Sequence, residues 1–112
     1  MDTNELRKWG EKLSIERYTI ESFWEMFKNY QMEQNGEFIE VFGADYDKEQ
    51  LSINLDGLGL FIDAWNKNAY MQYGFDYVTS YISIVYKEDK IGEYKMLFNL
   101  NGECFDDFFV LY

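Results

Sequence analysis

The stretch Tyr77–Lys87, with the sequence YVTSYISIVYK, decides the fold class, because its large apolar residues recur at every second position. Successive side chains of a β-strand point to opposite faces of the sheet, so this period predicts a strand with one apolar face and one more polar face. The apolar face comprises the even-numbered positions Val78, Ser80, Ile82, Ile84 and Tyr86.

Downstream of this strand the sequence predicts a hairpin. The polar segment Lys87–Gly92 forms a turn, and Glu93–Leu100 and Cys104–Tyr112 form strands. Asn101-Gly102 between them is typical of a two-residue type I′ turn, and Asp106-Asp107 interrupts the alternation as a β-bulge would. The predicted inward positions of these strands are Tyr94, Met96, Phe98, Leu100, Cys104, Phe108 and Val110.

Upstream of Tyr77 the sequence predicts three shorter strands. Glu37–Phe42 and Leu60–Trp65 are short apolar runs, and Gln50–Asp56 alternates between apolar and polar residues. Gly57 and Gly59 lie between the last two runs, and we expect them to be turn residues.

The first third of the chain predicts helices. Apolar residues recur at helical spacing over residues 3–13 and 20–32, and Asn35-Gly36 is a typical C-terminal stop. Helices followed by antiparallel strands indicate an α+β fold. We therefore expect a single domain over 1–112, helical over 3–35 and strand-rich over 36–112, with N-terminal helices packed on one face of an antiparallel sheet of about five strands. The predicted N-caps are Thr3 or Asn4 for the first helix and Ser14 or Thr19 for the second.

The composition excludes several kinds of chemistry. A chain of 112 residues fits one domain. It contains no histidine and a single cysteine, Cys104, so it has no intramolecular disulfide, no cysteine-rich zinc site and no histidine-based catalytic triad. We expect Cys104 to be a small buried hydrophobic residue. No metal, cofactor or enzymatic activity is predicted.

The charge is the main clue to function. The chain has 21 acidic and 10 basic residues, a net charge of −11, which argues against direct binding of nucleic acids or anionic membranes. No apolar run is long enough to span a membrane, and the N-terminus lacks the pattern of a signal peptide, so we expect a cytoplasmic protein. Residues 36–66 hold seven acids and one lysine.

These acids predict a surface that binds a basic protein partner. Tyrosine is enriched at protein interfaces, and Tyr46, Tyr70, Tyr73, Tyr77 and Tyr81 are predicted in loops or on the more polar strand face. An acidic and aromatic surface can occupy a nucleic-acid-binding cleft by standing in for phosphates. The candidate partner-binding residues are Glu37, Glu40, Asp45, Asp47, Glu49, Asp56 and Asp63, with Tyr46, Trp65 and Tyr73 as aromatic anchors.

Three motifs resemble metal-binding, catalytic or phosphate-binding sites but lack a feature that each of these sites needs. Asp45, Asp47 and Glu49 resemble the start of a calcium loop, but Gln50 stands where the tight turn needs glycine, so a solvated acidic loop is predicted. Asp106-Asp107 resembles a catalytic carboxylate pair, but strand neighbours point to opposite faces. The Gly57–Gly59 segment lacks the third glycine of a phosphate-binding loop.

The closing segment Ile91–Val110, with the sequence IGEYKMLFNLNGECFDDFFV, resembles the hairpins that end several immunity proteins of contact-dependent inhibition and polymorphic toxin systems. The small size, acidity and absence of catalytic motifs are similar too. The resemblance implies a cytoplasmic, non-enzymatic antidote that binds a cognate toxin domain, often a nuclease.

Two alternatives stay open from the sequence. Phage anti-CRISPR proteins are similar in size and acidity, and such a protein would bind a host nuclease through the same kind of acidic surface. A small-ligand-binding or enzymatic α+β domain would place the abundant aromatic residues around a pocket. The oligomeric state is open.

Overall fold

Each strand of the sheet pairs only with its neighbours in sequence. The computed structural model describes residues 1–66 and 73–112 and shows a four-stranded antiparallel sheet in the order β1-β2-β3-β4. Three helices precede it, so the predicted α+β class is confirmed, with four strands rather than about five. The elements are α1 (Thr3–Lys12), α2 (Ile15–Glu33), α3 (Asn35–Phe42), a 3₁₀ turn (Lys48–Gln50), β1 (Leu51–Phe61), β2 (Tyr77–Tyr86), β3 (Asp89–Asn99) and β4 (Cys104–Leu111).

The first helix has a different N-cap from the predicted one, whereas the second begins at the predicted N-cap Ser14. Asp2 caps α1, because its Oδ1 atom accepts a hydrogen bond from the Glu5 amide at 2.8 Å, a role predicted for Thr3 or Asn4. Ser14 is the N-cap of α2 in a left-handed conformation (φ 53°), without a side-chain capping bond. The buried residues of α2 recur every four positions from the first residue of the helix, and they are Ile15, Thr19, Phe23 and Phe27.

The predicted strand Glu37–Phe42 is wrong, because this segment forms α3. One helical turn separates Phe38 from Phe42, and both rings are buried. They pack against Phe27, with ring centroids 5.7 and 5.4 Å away. Helix α2 ends at Glu33, close to the predicted stop at Asn35-Gly36, but these two residues have no positive φ and begin α3 instead. The helical region therefore extends to residue 42 rather than 35.

A single continuous strand replaces the two predicted between residues 50 and 65. β1 runs through Gly57 and Gly59, which pair with Tyr81 and Thr79 of β2. The register shifts between Leu55 and Gly57, so the strand has a bulge there instead of ending. This merger and the helical α3 together explain why the sheet has fewer strands than expected.

The first hairpin turn is shorter than the predicted turn Lys87–Gly92, and the second differs in type from the prediction. Lys87 and Glu88 connect β2 to β3 and both have positive φ angles (51° and 73°), as a type I′ turn requires. The Asn101-Gly102 hairpin exists, but of these two residues only Gly102 has a positive φ (90°). Its amide donates to the Asn99 carbonyl at 2.9 Å, which fits a longer loop rather than a two-residue type I′ turn.

The bulge in β4 lies at Phe105, one residue before the predicted Asp106-Asp107. Phe98 pairs with Cys104 while Leu97 pairs with Asp106, so Phe105 has no partner across the ladder. This extra residue changes the phase of the alternation. Cys104 lies across from the buried Phe98, whereas Phe108 and Val110 lie at exposed positions. The prediction that all three share the inward face is therefore wrong.

The helices cover only one face of the sheet. That face is the predicted apolar face of β2, in which Val78, Ser80, Ile82 and Ile84 are fully buried. Helix α2 packs on β1, β2 and β3. It reaches β4 through Tyr30, whose ring centroid lies 5.0 Å from that of Phe109. None of the helices in the described residues is sufficiently long and apolar to cross a membrane.

Candidate protein-interaction surfaces

The side of the sheet away from the helices, which we call the open face, carries the odd-numbered residues of β2. The antiparallel register places Lys95 beside Tyr81 and places Phe108 on the other side of Lys95. Val110 lies beside Glu93 in the same way. The open face is thus formed by side chains from all four strands and extends to the edge of the sheet at β4.

The open face exposes large apolar side chains. Phe61, Phe108 and Val110 have 46%, 41% and 44% of their surface exposed, and Tyr112, which follows β4, has 70%. Exposed apolar groups scattered singly are normal on a protein surface, but a group of them gathered on one uncovered sheet face is typical of an interaction site.

Aromatic rings are concentrated at one end of the open face, in what we call the aromatic end cluster: Phe61, Tyr73, Phe75, Tyr77 and Phe105. Phe61 stacks on Tyr77 across the β1–β2 pair, with ring centroids 5.5 Å apart. Tyr73 contacts Phe105 at 4.8 Å, and Phe75 contacts Phe105 at 4.9 Å. An added Cβ at Gly59 would lie 2.7 Å from the Phe61 ring, so the glycine provides the space into which this ring folds.

The carboxylate of Asp63 organises the loop next to this cluster. It accepts hydrogen bonds from the amides of Tyr73 and Gly74, at 3.1 and 2.9 Å. The Asp63 amide in turn donates to Oδ1 of Asp76 at 3.2 Å. Partial burial, followed by the negative charge of Asp106, raises the pKa of Tyr73. Asp63 therefore holds Tyr73 in place, and its carboxylate is already engaged within the chain.

The charged side chains at the centre of the open face are paired with one another or with tyrosines. Lys90 donates to the Tyr81 hydroxyl at 2.7 Å, and this hydrogen bond raises the pKa of Lys90. Glu93 forms an ion pair with Lys95 at 3.9 Å and accepts a hydrogen bond from the Tyr112 hydroxyl. The centre of this face is consequently rich in tyrosine and nearly neutral.

The strongest negative charge lies elsewhere, on what we call the α3 acidic surface: Glu37, Glu40, Asp45, Asp47 and Glu49. All five are exposed. The ion pairs among the described residues are Arg17–Glu21 and Glu93–Lys95, so none of the five carboxylates is neutralised by a neighbouring cation. Their nearest lysine in sequence, Lys48, lies over the Trp24 ring, with its Nζ atom 4.8 Å from the centroid.

Apolar side chains are interspersed with these acids. On α3, Ile39 and Val41 are 44% and 41% exposed. Asp47 also has a structural role, because it caps the 3₁₀ turn by accepting from the Glu49 amide at 3.0 Å. In the part of the chain that the structure describes, no group of three or more acidic or cysteine side chains converges as a metal site would require.

The structure separates the predicted site residues into two groups. Six lie on or beside α3, and Asp63, Trp65 and Tyr73 lie beyond the opposite end of β1, roughly 33 Å away for a strand of this length at about 3.3 Å per residue. Asp56 lies between them at the β1 bulge, bonded to the Ser83 hydroxyl. Trp65 is 87% exposed and Tyr70 lies outside the described residues.

Tyr46 is held by the core rather than projecting freely. Its ring contacts Phe38 at 5.0 Å and stacks on Tyr86 at 5.7 Å. The Tyr86 hydroxyl accepts a hydrogen bond from the Asp47 amide, which anchors the acidic loop to β2. Burial raises the pKa of Tyr46. The ring is thus a support for the α3 acidic surface.

Phe61, Phe75, Phe108 and Val110 are exposed, although the sequence pattern did not indicate them as surface residues. A signal was present in the segment Phe105–Val110, where four of six residues are apolar and the two acids stand together. No simple alternation can bury all four apolar residues on one side of a strand. The position of the bulge decides which of them are exposed, and that position depends on pairing with β3.

A cleft of about 460 Å³ lies between α2 and β4. The hydroxyl of the buried Tyr94 donates to Asp107 Oδ2 at 2.7 Å at its wall. Asp107 lies on the helix side of β4, whereas Asp106 pairs with Leu97 and its charge acts on Tyr73 of the aromatic end cluster. The two side chains diverge, as expected for strand neighbours, and Asp106 meets the cleft only at its edge. Cys104 is half-buried there, and burial raises the pKa of its thiol.

Comparison with known proteins gives no matching family model, no matching curated protein and no matching solved structure.

Proposed function

We propose that this chain is a non-enzymatic inhibitor that binds a cognate basic toxin domain, as immunity proteins do, and neutralises it by occupying a functional surface. A nuclease is the class of toxin that fits its charge best. The observation that carries the proposal is the open face, in which a well-packed helix layer covers one side of the sheet and the other side presents aromatic and apolar side chains.

The chemistry of the open face suits a protein partner. Tyrosine and phenylalanine bury a large contact area with few rotatable bonds, and they are enriched among the residues that contribute most to binding energy. Phe61 and Tyr77 are already stacked, and Asp63 holds Tyr73 beside them, so little side-chain entropy is lost on binding.

The α3 acidic surface supports the choice of a basic partner. Its five unpaired carboxylates give a long-range negative field, which accelerates association with a positively charged protein. In a nuclease, the positive charge lies in the cleft that holds the phosphate backbone. Carboxylates presented to that cleft would compete with the nucleic acid.

The interior of the domain supports this function over binding of a small ligand. The space between helices and sheet is filled by aromatic rings, among them Phe23, whose ring centroid lies 5.3 Å from that of Phe27 and 5.8 Å from that of Tyr94. The clefts that the described residues form are open at the surface.

The decisive experiment is to purify the partner and measure inhibition. The tagged chain is used to capture proteins from its native cell, the captured protein is identified, and its activity is titrated with the purified chain. We expect a basic toxin domain whose activity falls to background at a one-to-one ratio. Capture of no such protein, or of one whose activity the chain leaves unchanged, would refute the function.

Variants then test the surface. Replacing Phe108 and Val110 by alanine removes exposed apolar area from the open face, and we expect affinity to fall at least about tenfold. The matched control is Met32→Ala, which removes a 70% exposed side chain from α2 and should leave affinity unchanged. Thermal unfolding of both variants checks the fold. Equal affinities would exclude the open face as the contact surface.

A further inference from the structure

The cleft between α2 and β4 is open because α2 packs less closely on the last strand, which it contacts through Tyr30 and Phe109, than on the other three. Helix α2 packs on β1, β2 and β3, and the cleft begins where this packing stops. Its lining is mixed: Met26 of α2 and Met96 of β3 are accompanied by the polar side chains of Ser22 and Asn29, and the residues of β4 from Cys104 to Asp107 form its other wall. The cleft is therefore a groove parallel to a sheet edge.

The charged residues that line this groove are all acidic. Three of its lining side chains are carboxylates, Glu25, Asp106 and Asp107, and no lysine or arginine lines it. None of the three takes part in an ion pair among the described residues. Glu25 lies on the helix wall and Asp107 on the strand wall, where its Oδ2 atom accepts from the Tyr94 hydroxyl. Asp106 lies only at the edge of the groove, because it pairs with Leu97 on the other face of the strand.

The strand beside the groove is an edge strand. β4 pairs with β3 on one side, and no strand of the described residues pairs with its other side. Edge strands present backbone N–H and C=O groups that can pair with an added strand, and an added strand sends alternate side chains to each face of the sheet. Side chains sent to the helix side would enter the groove.

We infer that the β4 edge and this groove form a second binding surface, for an extended segment of another protein that carries lysine or arginine at alternate positions. The segment pairs with β4, and its cationic side chains lie between Glu25 and Asp107. Charge selects this occupant over a second copy of the chain, because two β4 edges would bring the same unpaired acids together. The inference goes beyond the proposed inhibitor function and stands without it, since it concerns a different surface.

The test uses a synthetic peptide that alternates lysine and valine, with blocked ends and sufficient length to span β4. Binding to the full chain is followed by calorimetry and by the NMR shifts of the backbone amides. We expect the largest shifts in β4 and in the α2 residues of the groove, together with slower hydrogen exchange of β4 amides. A peptide with glutamate in place of lysine should not bind.

Matched variants separate the groove from general attraction by an acidic protein. Glu25→Gln with Asp107→Asn, whose side-chain oxygen can still accept from the Tyr94 hydroxyl, should weaken the peptide about tenfold or more. Glu37→Gln with Glu40→Gln removes the same charge from the α3 acidic surface and should change affinity less than about twofold. Equal weakening by both pairs, shifts located outside β4 and α2, or self-association detected by light scattering of the peptide-free chain would overturn the inference. Failure here leaves the Phe108 and Val110 test of the inhibitor function unaffected.

Discussion

The side-chain oxygens of Thr19 on α2 and Ser80 on β2 are hydrogen-bonded at 2.9 Å, and neither residue has exposed surface. The Thr19 hydroxyl also bonds the Ile15 carbonyl at 2.7 Å. This buried polar pair fixes the register of the main helix on the sheet. It therefore determines which face is covered and which stays open.

Removing both members of this pair is expected to destabilise the fold by less than the sum of the two single removals. Ser80→Ala leaves the buried Thr19 hydroxyl with only its intrahelical bond, and Thr19→Val leaves Ser80 without a partner, so each should cost about 1–3 kcal/mol. The double variant should cost less than the sum of the two. Urea unfolding of the three variants measures this, and additive losses would show that the two hydroxyls are not coupled.

A methyl group at Gly92 should separate β3 from β4. An added Cβ would collide with the Val110 carbonyl oxygen and lie 2.9 Å from Leu111 Cδ2. We expect Gly92→Ala to cost about 1–3 kcal/mol, because the backbone of β4 must move. The control is Gly57→Ala, where no atom lies within 4 Å, and which should be neutral or stabilising by about 0.4–1 kcal/mol. Chemical denaturation distinguishes them, and an equal effect at both sites would contradict the β3–β4 contact.

Stability should fall steeply at alkaline pH. Burial, followed by the negative charge of Glu37, raises the pKa of Tyr30 to about 12, above the value near 10 of an unfolded chain. Between about pH 10 and 12 the Tyr30 phenol loses its proton in the unfolded chain but keeps it in the folded one. Its contribution to the free energy of unfolding is therefore complete below about pH 10 and is lost as pH rises through about 12. Thermal melts across this range check the decline, and ultraviolet absorbance follows phenolate formation.

The variant Tyr30→Phe isolates the contribution of this phenol. It should show a shallower loss of melting temperature between about pH 10 and 12 than the wild-type chain, when each is compared with its own value near pH 8. Parallel profiles for the two proteins would mean that Tyr30 does not titrate differently in the folded and unfolded states.

Charge reversal on the α3 acidic surface should act on the association rate. Glu37→Lys, Glu40→Lys and Asp45→Lys together should lower the rate constant for binding the basic partner by about tenfold or more at low salt, with a smaller change in the dissociation rate. Raising the salt to physiological strength should shrink this difference, because screening shortens the range of the field. A rate constant for the wild-type chain that does not change with salt would exclude steering by these acids.

The strands with one buried face could be predicted from the sequence. In β2 the even positions are buried and the odd positions half-exposed, as the alternation of Val78, Ile82 and Ile84 predicts. The helical period of α2 was likewise informative, because Phe23 and Phe27 recur on the side that packs on the sheet. In both cases one face alone is buried, so the period of the pattern identifies the element.

The α3 segment could not be assigned from its own pattern. Phe38 and Phe42 share a face both in a strand and in a helix, because a separation of four residues fits either period. Contacts with Phe27 and Tyr46 favour the helix, and such contacts are absent from any local pattern. The same applies to Gly59, whose position inside β1 follows from the space that the Phe61 ring needs.

The binding surfaces were less predictable than the fold. The sequence indicated acids and aromatic anchors, but it placed them on one surface because they are close in the chain. The whole length of β1 separates Asp47 from Asp63, and the Phe105 bulge turns Phe108 and Val110 to the exposed face. Both effects arise from strand pairing between distant segments.

The order of the strands has a consequence for how the chain folds. β2, β3 and β4 are joined by tight hairpins, so their pairing needs only short loops to close and can form within microseconds to milliseconds. β1 joins through the longer connection between Phe61 and Tyr77, whose closure costs more conformational entropy. The three C-terminal strands are therefore expected to assemble as a nucleus, to which β1 and the helices are added later.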